Sequence, residues 1–293
     1  MTELIAFVDG ELVPRQRATV SIDDAAFRYG AACFETMRAT NGDVFRLNAH
    51  LERLRAGLEA MHVSPPSVAT LTAAVDTALE ANRLREARVR LSVSPGRLPG
   101  PDLAAAVTPS IVVAVDPISD GGAPPQALCL AVSSFRVDAG RPLAAAKTAQ
   151  YLVYLLARAE ARDGRADDAL LLNTKGEVCE ASAANLFAVL DNRLVTPLLS
   201  SGPLAGVTRA VVLELAAHLG LIAEERELRL ERLAASTELF VTNSVVGAQP
   251  VRSVIQDGST LWSGDAPGPI TARVADEYAQ LVMAEQREGA TDG

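Results

Sequence analysis

The chain has 293 residues, more than one compact domain usually holds, so two domains are expected. Hydrophobic residues make up 49% and charged residues 22%, an ordinary globular profile that excludes a largely disordered chain. The formal net charge of -9 argues against nucleic acid as the main partner, because phosphate backbones select basic surfaces.

The three cysteines, Cys33, Cys129 and Cys179, are far apart and lack metal-ligand spacing. Reduced, buried thiols and no metal site are expected. Met1 to Gly10 carries Glu3 and Asp9 and has no basic region before an apolar run, so it does not read as a signal peptide. No stretch reaches the roughly 18 apolar residues of a membrane helix. A cytoplasmic protein without membrane contact is the expectation.

In chain order, Ile5 to Val8, the Asp9-Gly10 turn and Leu12-Val13 predict a hairpin. A strand is expected from Cys33 to Arg38, then an Asn41-Gly42 turn into a strand over Val44 to Leu47. Asn48 is the expected N-cap of a helix carrying His50-Leu51, Leu54, Leu58 and Met61. Pro65-Pro66 separates it from a second apolar stripe at Val68, Leu71, Val75 and Leu79. Strands follow at Arg88 to Val93 and Ser110 to Val115. The turn-rich run Asp116 to Pro125 is the expected linker. Domains of 1–116 and 126–293, joined by 117–125, are therefore expected.

Beyond the linker, strands are predicted at Cys129 to Val132, Ala169 to Leu172, Asn185 to Leu190 and Glu238 to Thr242. Helices are predicted at Gln150 to Ala161, Thr208 to Leu219 with Gly220 at its end, and Ile270 to Met283. The residues from Glu288 onward are expected to fray. Strands and helices in both halves predict an α+β (mixed α/β) protein.

Five features could carry chemistry, and each has an ordinary alternative. Lys147 follows Ala144-Ala145-Ala146. A buried lysine serves as a base or Schiff-base former, yet taken alone this one reads as a solvated surface lysine. Glu180 precedes small residues and an apolar strand, so it either faces a site or ends a strand. Gly206-Val207-Thr208 opens a helix, as a phosphate cradle or as a simple Thr208 cap. Asn243-Ser244 follows a strand directly, as an anion-binding turn or a polar loop. Arg53 offers a fork of donors to a phosphate or pairs with a surface acid.

The order of these features carries a resemblance. Arg28-Tyr29-Gly30 with Phe34-Glu35-Thr36-Met37-Arg38, His50-Leu51-Glu52-Arg53-Leu54 and Arg88-Val89-Arg90-Leu91 come first. Lys147-Thr148-Ala149-Gln150-Tyr151, Glu180-Ala181-Ser182 with Asn185-Leu186-Phe187, Gly206-Val207-Thr208-Arg209 and Thr242-Asn243-Ser244 follow. Together they resemble the class IV aminotransferases, the fold-type IV pyridoxal phosphate enzymes, over nearly the whole chain. The resemblance implies a smaller N-terminal α/β domain and a larger C-terminal domain with a β-barrel-like core. It implies homodimers, with the site at the junction of the domains and the partner subunit.

Residue by residue, the resemblance implies that Lys147 holds pyridoxal 5'-phosphate covalently and moves the proton. Glu180 faces the pyridine nitrogen. Arg53, Gly206, Val207, Thr208, Asn243 and Ser244 hold the phosphate. Tyr151 looks like the tyrosine beside the cofactor's phenolic oxygen. Tyr29, Phe34, Arg38 and Arg90 fall at the substrate, the two arginines as carboxylate clamps or as surface ion pairs. The family's reactions include branched-chain and D-amino-acid transamination and the elimination of pyruvate from 4-amino-4-deoxychorismate to give 4-aminobenzoate. Thr242-Asn243-Ser244, Phe34-Glu35-Thr36 and Arg88 to Leu91 look more like the lyase, which is the expected activity, with a branched-chain or D-amino-acid aminotransferase as the alternative. A catalytically silent binding protein is a third reading, against which the retained Lys147, Glu180 and Arg53 speak.

Overall fold

The computed structural model describes residues 3–106, 108–118 and 125–289. The chain divides into two compact units, one of Met1–Gly121, Ala146–Gln150 and Glu285–Gly293, the other of Gly122–Ala145 and Tyr151–Ala284. Of the expected linker, residues 119–124 lie outside the described residues. The last expected helix runs on to Gly289, and residues 290–293 likewise lie outside them.

The first unit holds β1 (Ile5–Val8), β2 (Glu11–Pro14), α1 (Ala25–Tyr29), β3 (Cys33–Thr40), β4 (Asp43–Val44), α2 (Leu47–Ala60), α3 (Val68–Asn82), β5 (Ala87–Ser94) and β6 (Ser110–Pro117). Its strands form one sheet in the order β2-β1-β6-β5-β3-β4. β5 is buried at Ala87, Val89, Leu91 and Val93 and exposed at Arg88 and Arg90, the period of a strand with one covered face. Asp24 caps α1 through the amide of Ala26, and Ser67 caps α3 through that of Thr70. Gly57 lets α2 approach β3, since a Cβ there would lie 2.7 Å from the Cys33 sulfur.

Two expectations in this unit are corrected. No strand spans Val44 to Leu47; β4 stops at Val44 and α2 begins at Leu47. Nor does Asn48 cap α2. The N-cap is Arg46, left-handed at φ 54° and held by an ion pair with Glu285 at 2.8 Å. That anchored turn starts the helix one residue before Asn48.

The second unit holds β7 (Leu128–Val137), α4 (Leu152–Asp163), β8 (Asp168–Asn173), β9 (Val178–Ala181), β10 (Ala184–Leu190), β11 (Arg193–Pro197), α5 (Val207–His218), β12 (Ala223–Arg226), α6 (Leu230–Leu233), β13 (Glu238–Asn243), β14 (Gly247–Gln256), β15 (Ser259–Ser263) and α7 (Pro269–Gly289) up to Ala284. Six strands close on themselves: β10 pairs β13, then β14, β7, β8 and β9 follow, and β9 returns to β10. The ring is the barrel-like core.

Strand alternation divides this unit's core. Leu170, Leu172, Leu186, Ala188 and Leu190 fill one cluster with Val241, Val251 and Val254. The intervening Ala169 and Leu171 pack with Tyr154, Ala157 and Ala161 of α4. Phe187 and Val189 pack with Val212 and Ala216 of α5 and Val274 of α7. With both faces covered, such strands read as continuous apolar runs. Glu238 on β13 caps α7, accepting from the amides of Ile270 at 3.0 Å and Thr271 at 2.8 Å. No helix among the described residues is long and apolar enough to cross a membrane.

Leu170 is fully buried in the ring's cluster. Leu170→Ala is expected to cost about 2–5 kcal/mol, read as a lower urea midpoint. A midpoint equal to that of the wild type would contradict this packing.

Candidate active site

In the first unit, β3 separates two sets of side chains. Cys33, Glu35, Met37 and Ala39 are buried on one face. Glu35 meets α2 there: Arg53 donates from Nε to Oε1 at 2.8 Å and from Nη2 to Oε2 at 2.6 Å, and His50 Nδ1 lies 2.8 Å from Oε2. Burial would push the Glu35 carboxyl up, but the Arg53 charge and the hydrogen bonds from His50 and Arg53 prevail and hold it at about 2.

Phe34 belongs to the opposite face. The Arg90 guanidinium lies 3.9 Å from its ring centroid and the Lys147 ammonium 4.6 Å. Backbone contacts fix Lys147 beside β3: its carbonyl accepts from the Phe34 amide at 3.0 Å, and Thr148 bridges Cys33. Arg38 pairs with Glu86 at 3.3 Å. Tyr29 ends α1, 39% exposed, with Arg28 over its ring.

In the second unit, Glu180 lies on β9 and is buried. Its Oε1 accepts from the Tyr154 hydroxyl at 3.2 Å. Its Oε2 accepts from Asn185 Nδ2 at 3.3 Å and the Leu204 amide at 3.0 Å. Tyr151 precedes α4, stacks on Tyr154 with centroids 4.9 Å apart, and donates its hydroxyl to the Ser182 carbonyl. A hydrogen bond from Tyr151 to a ligand would compete with that one.

The N-cap of α5 is Gly206, and no side chain caps the helix there. The Thr208 capping alternative is therefore set aside. Thr208 is inside the helix, with its hydroxyl 3.3 Å from that of Ser244. A Cβ on Gly206 would fall 2.0 Å from Asn185 Oδ1, so only glycine fits. Asn243 turns its Oδ1 back on the amides of Val245 and Val246, each at 3.0 Å. It shapes the turn that presents Ser244.

The structure thus gathers Lys147, Phe34 and Arg90 in one unit, with Arg53 on Glu35. In the other it gathers Glu180, Tyr151 and the Gly206, Thr208 and Ser244 turns. Sequence reasoning missed Glu35 as the partner of Arg53, His50 as the second partner of Glu35, and Tyr154, Asn185 and Leu204 as the partners of Glu180. One signal was available: Glu35 stands at an apolar position of an alternating strand, where a charge needs a partner.

A family model of class IV aminotransferases matches residues 32–254. The chain belongs to the class IV aminotransferase family. These are the fold-type IV pyridoxal phosphate enzymes. A branched-chain-amino-acid aminotransferase of Salmonella typhimurium strain LT2 is 31% identical over 96% of this chain and 93% of its own. The crystal structure of the branched-chain aminotransferase of Thermoproteus uzoniensis with norvaline superimposes at a TM-score of 0.87, 29% identical, covering 98% of this chain and 97% of that one. A Legionella pneumophila structure described as "Putative 4-amino-4-deoxychorismate lyase" gives 0.83 at 25% identity, covering 91% and 96%.

The second unit's residues fit the family's cofactor. An uncapped helix N-terminus with two hydroxyls beside it suits a phosphate. The closeness of Asn185 explains why glycine stands at that turn. A buried carboxylate held by three donors suits a ring nitrogen that must stay protonated.

The depressed Glu35 carboxyl predicts a pH effect. Its folded value, about 2, lies below the ordinary 4.5, so the unfolded chain binds the extra proton between them. The stabilisation is complete above about pH 4.5 and is lost as pH falls toward 2. Glu35→Gln should cost about 3–5 kcal/mol at neutral pH by breaking a buried pair. Urea denaturation should show that gap narrowing by about 2 kcal/mol at pH 3; a pH-independent gap would contradict it.

Proposed function

We propose that the chain is a pyridoxal-phosphate-dependent aminotransferase that moves the amino group of a branched-chain amino acid to a 2-oxo acid, acting as a cytoplasmic homodimer. The bound cofactor supplies an electron sink for the charge left when a proton leaves the carbon beside nitrogen. Lys147 would hold the cofactor through Nζ until the substrate's amino group displaces it, and the freed amine would then take that proton and return it elsewhere. Glu180 pairs with the pyridine nitrogen and keeps its proton in place. Arg53, oriented by Glu35, works on the phosphate with Gly206, Val207, Thr208 and Ser244, while Asn243 holds the turn of Ser244. Tyr151 lies by the phenolic oxygen. Arg90 receives the substrate carboxylate above Phe34, with Tyr29 at the substrate side chain. Arg38, engaged by Glu86, supports that face.

What carries transamination over elimination is the length and level of the likeness. The Thermoproteus aminotransferase structure is 29% identical over 98% of this chain, against 25% over 91% for the lyase-like structure. The motif that favours the lyase, Thr242-Asn243-Ser244, is weaker support. Asn243 serves the turn itself, through the amides of Val245 and Val246.

Spectroscopy and product analysis test the reading together. Purified protein given pyridoxal phosphate should gain a visible band that an L-branched-chain amino acid discharges and 2-oxoglutarate restores. Lys147→Ala should lose the covalent band and slow exchange by at least about 10²-fold. D-amino acids and aminodeoxychorismate serve as parallel donors. Formation of 4-aminobenzoate without amino exchange would overturn the reaction, and exchange confined to D-amino acids would overturn the substrate class.

A further inference from the structure

Two tyrosines stand three residues apart at the start of α4, close enough on a helix to meet. Tyr151 and Tyr154 stack with an interplanar angle of 16°. Their hydroxyls do not compete. Tyr154 donates to Glu180 Oε1, and Tyr151 donates to the Ser182 carbonyl two residues further along the same segment. Ser182 is held in turn, through its hydroxyl on Asp168 Oδ1. The stacked pair therefore grips the end of β9 at two points, and one of them is the carboxylate itself.

Packing alone does not ask for a hydroxyl at residue 154. The ring is buried among Ala157, Ala161, Cys129 and Leu171, contacts that phenylalanine would make equally well. The hydroxyl adds a bond to one named oxygen. Asn185 and the Leu204 amide both engage the other oxygen, Oε2. Rotation of the Glu180 carboxylate about its terminal bond is thus opposed on both of its oxygens. Burial first, and then the charge of Glu180, push the Tyr154 phenol up, against the pull of Arg141, so it remains a donor in the neutral range.

We propose that Tyr154 is a positioning residue for Glu180: its hydroxyl fixes the carboxylate toward the pyridine nitrogen of the bound cofactor and keeps the shared proton on that nitrogen. The inference rests on the pyridoxal phosphate reading above. Donation to Oε1 lowers the basicity of the carboxylate relative to the ring nitrogen. Without it the proton shifts toward Glu180, and the ring accepts charge less readily.

Tyr154→Phe keeps the ring and the stack and removes only the hydroxyl. Three readouts follow. Titration of the apoprotein with pyridoxal phosphate should show affinity about tenfold weaker, as expected for one lost hydrogen bond to a charged group. The visible band of the loaded protein should shift its pH dependence. The first half-reaction should slow about tenfold with the KM for the amino acid unchanged. Because Tyr154 acts through Glu180, Tyr154→Phe should add no further loss in a Glu180→Gln background. That double variant also separates the role from any general loss of folding. A Tyr154→Phe protein with wild-type affinity, band and pH profile would overturn the role of Tyr154 alone. Full additivity with Glu180→Gln would overturn it too. A wild-type protein that takes up no pyridoxal phosphate would overturn both this inference and the reading beneath it.

Discussion

Closure of the six-stranded ring is the constraint on which the second unit depends. The ring closes where β9 meets β10, and the register of that pairing sets Asn185 directly opposite Glu180. The next pairing sets Asn185 opposite Thr242 on β13. One short antiparallel contact therefore places a carboxylate beside the amide that holds it. The same amide reaches the Leu204 carbonyl, and its oxygen lies where a side chain on Gly206 would have to go. A slip of one residue would turn Glu180 to the opposite face and break the set. The chemistry of the unit is thus written into strand register before any ligand is considered.

The first unit solves a related problem differently. Glu35 is fully buried, and an unpaired buried carboxylate would be expensive. It is accommodated by a bidentate arginine and a histidine from one helix, spaced so that His50 and Arg53 share a face. The pair fixes the plane of the guanidinium. On the other face of the same strand, Phe34 carries two cations, Arg90 and Lys147. The alternation of one strand separates a locked ion pair from a face on which two cations meet one ring.

The legible parts of the fold are those where local pattern and final environment agree. β8 and β10 are apolar runs bounded by turn formers, and they form where the sequence places them. β9, β11 and β15 are short and mix polar with apolar residues, so no period marks them. Tertiary pairing makes them strands. Among the candidate residues, Lys147 and Glu180 are legible only through their order among other motifs. Each alone has the signature of an ordinary surface or strand-end residue. Tyr154 is illegible for another reason: its partner is 26 residues away in sequence, and only the packing of α4 on β7 and β8 brings the two together.

The reaction is the hardest part to read, and Asn243 shows why. As a motif, Thr242-Asn243-Ser244 points toward elimination. As chemistry, the Asn243 Oδ1 accepts from two backbone amides of its own turn, a role that asparagine fills for conformational reasons. A residue chosen for turn geometry carries little information about which bond breaks at a distant carbon. Ser244 is different, since its hydroxyl meets that of Thr208 at the start of α5, where the proposed reading places the phosphate. On the proposed phosphate role neither residue would distinguish transamination from elimination, because both reactions need the same phosphate held and the same proton moved. The distinction belongs to groups that meet the substrate after that proton has left; in the proposed reading these are on the β3 face that carries Phe34, with Arg90 over its ring.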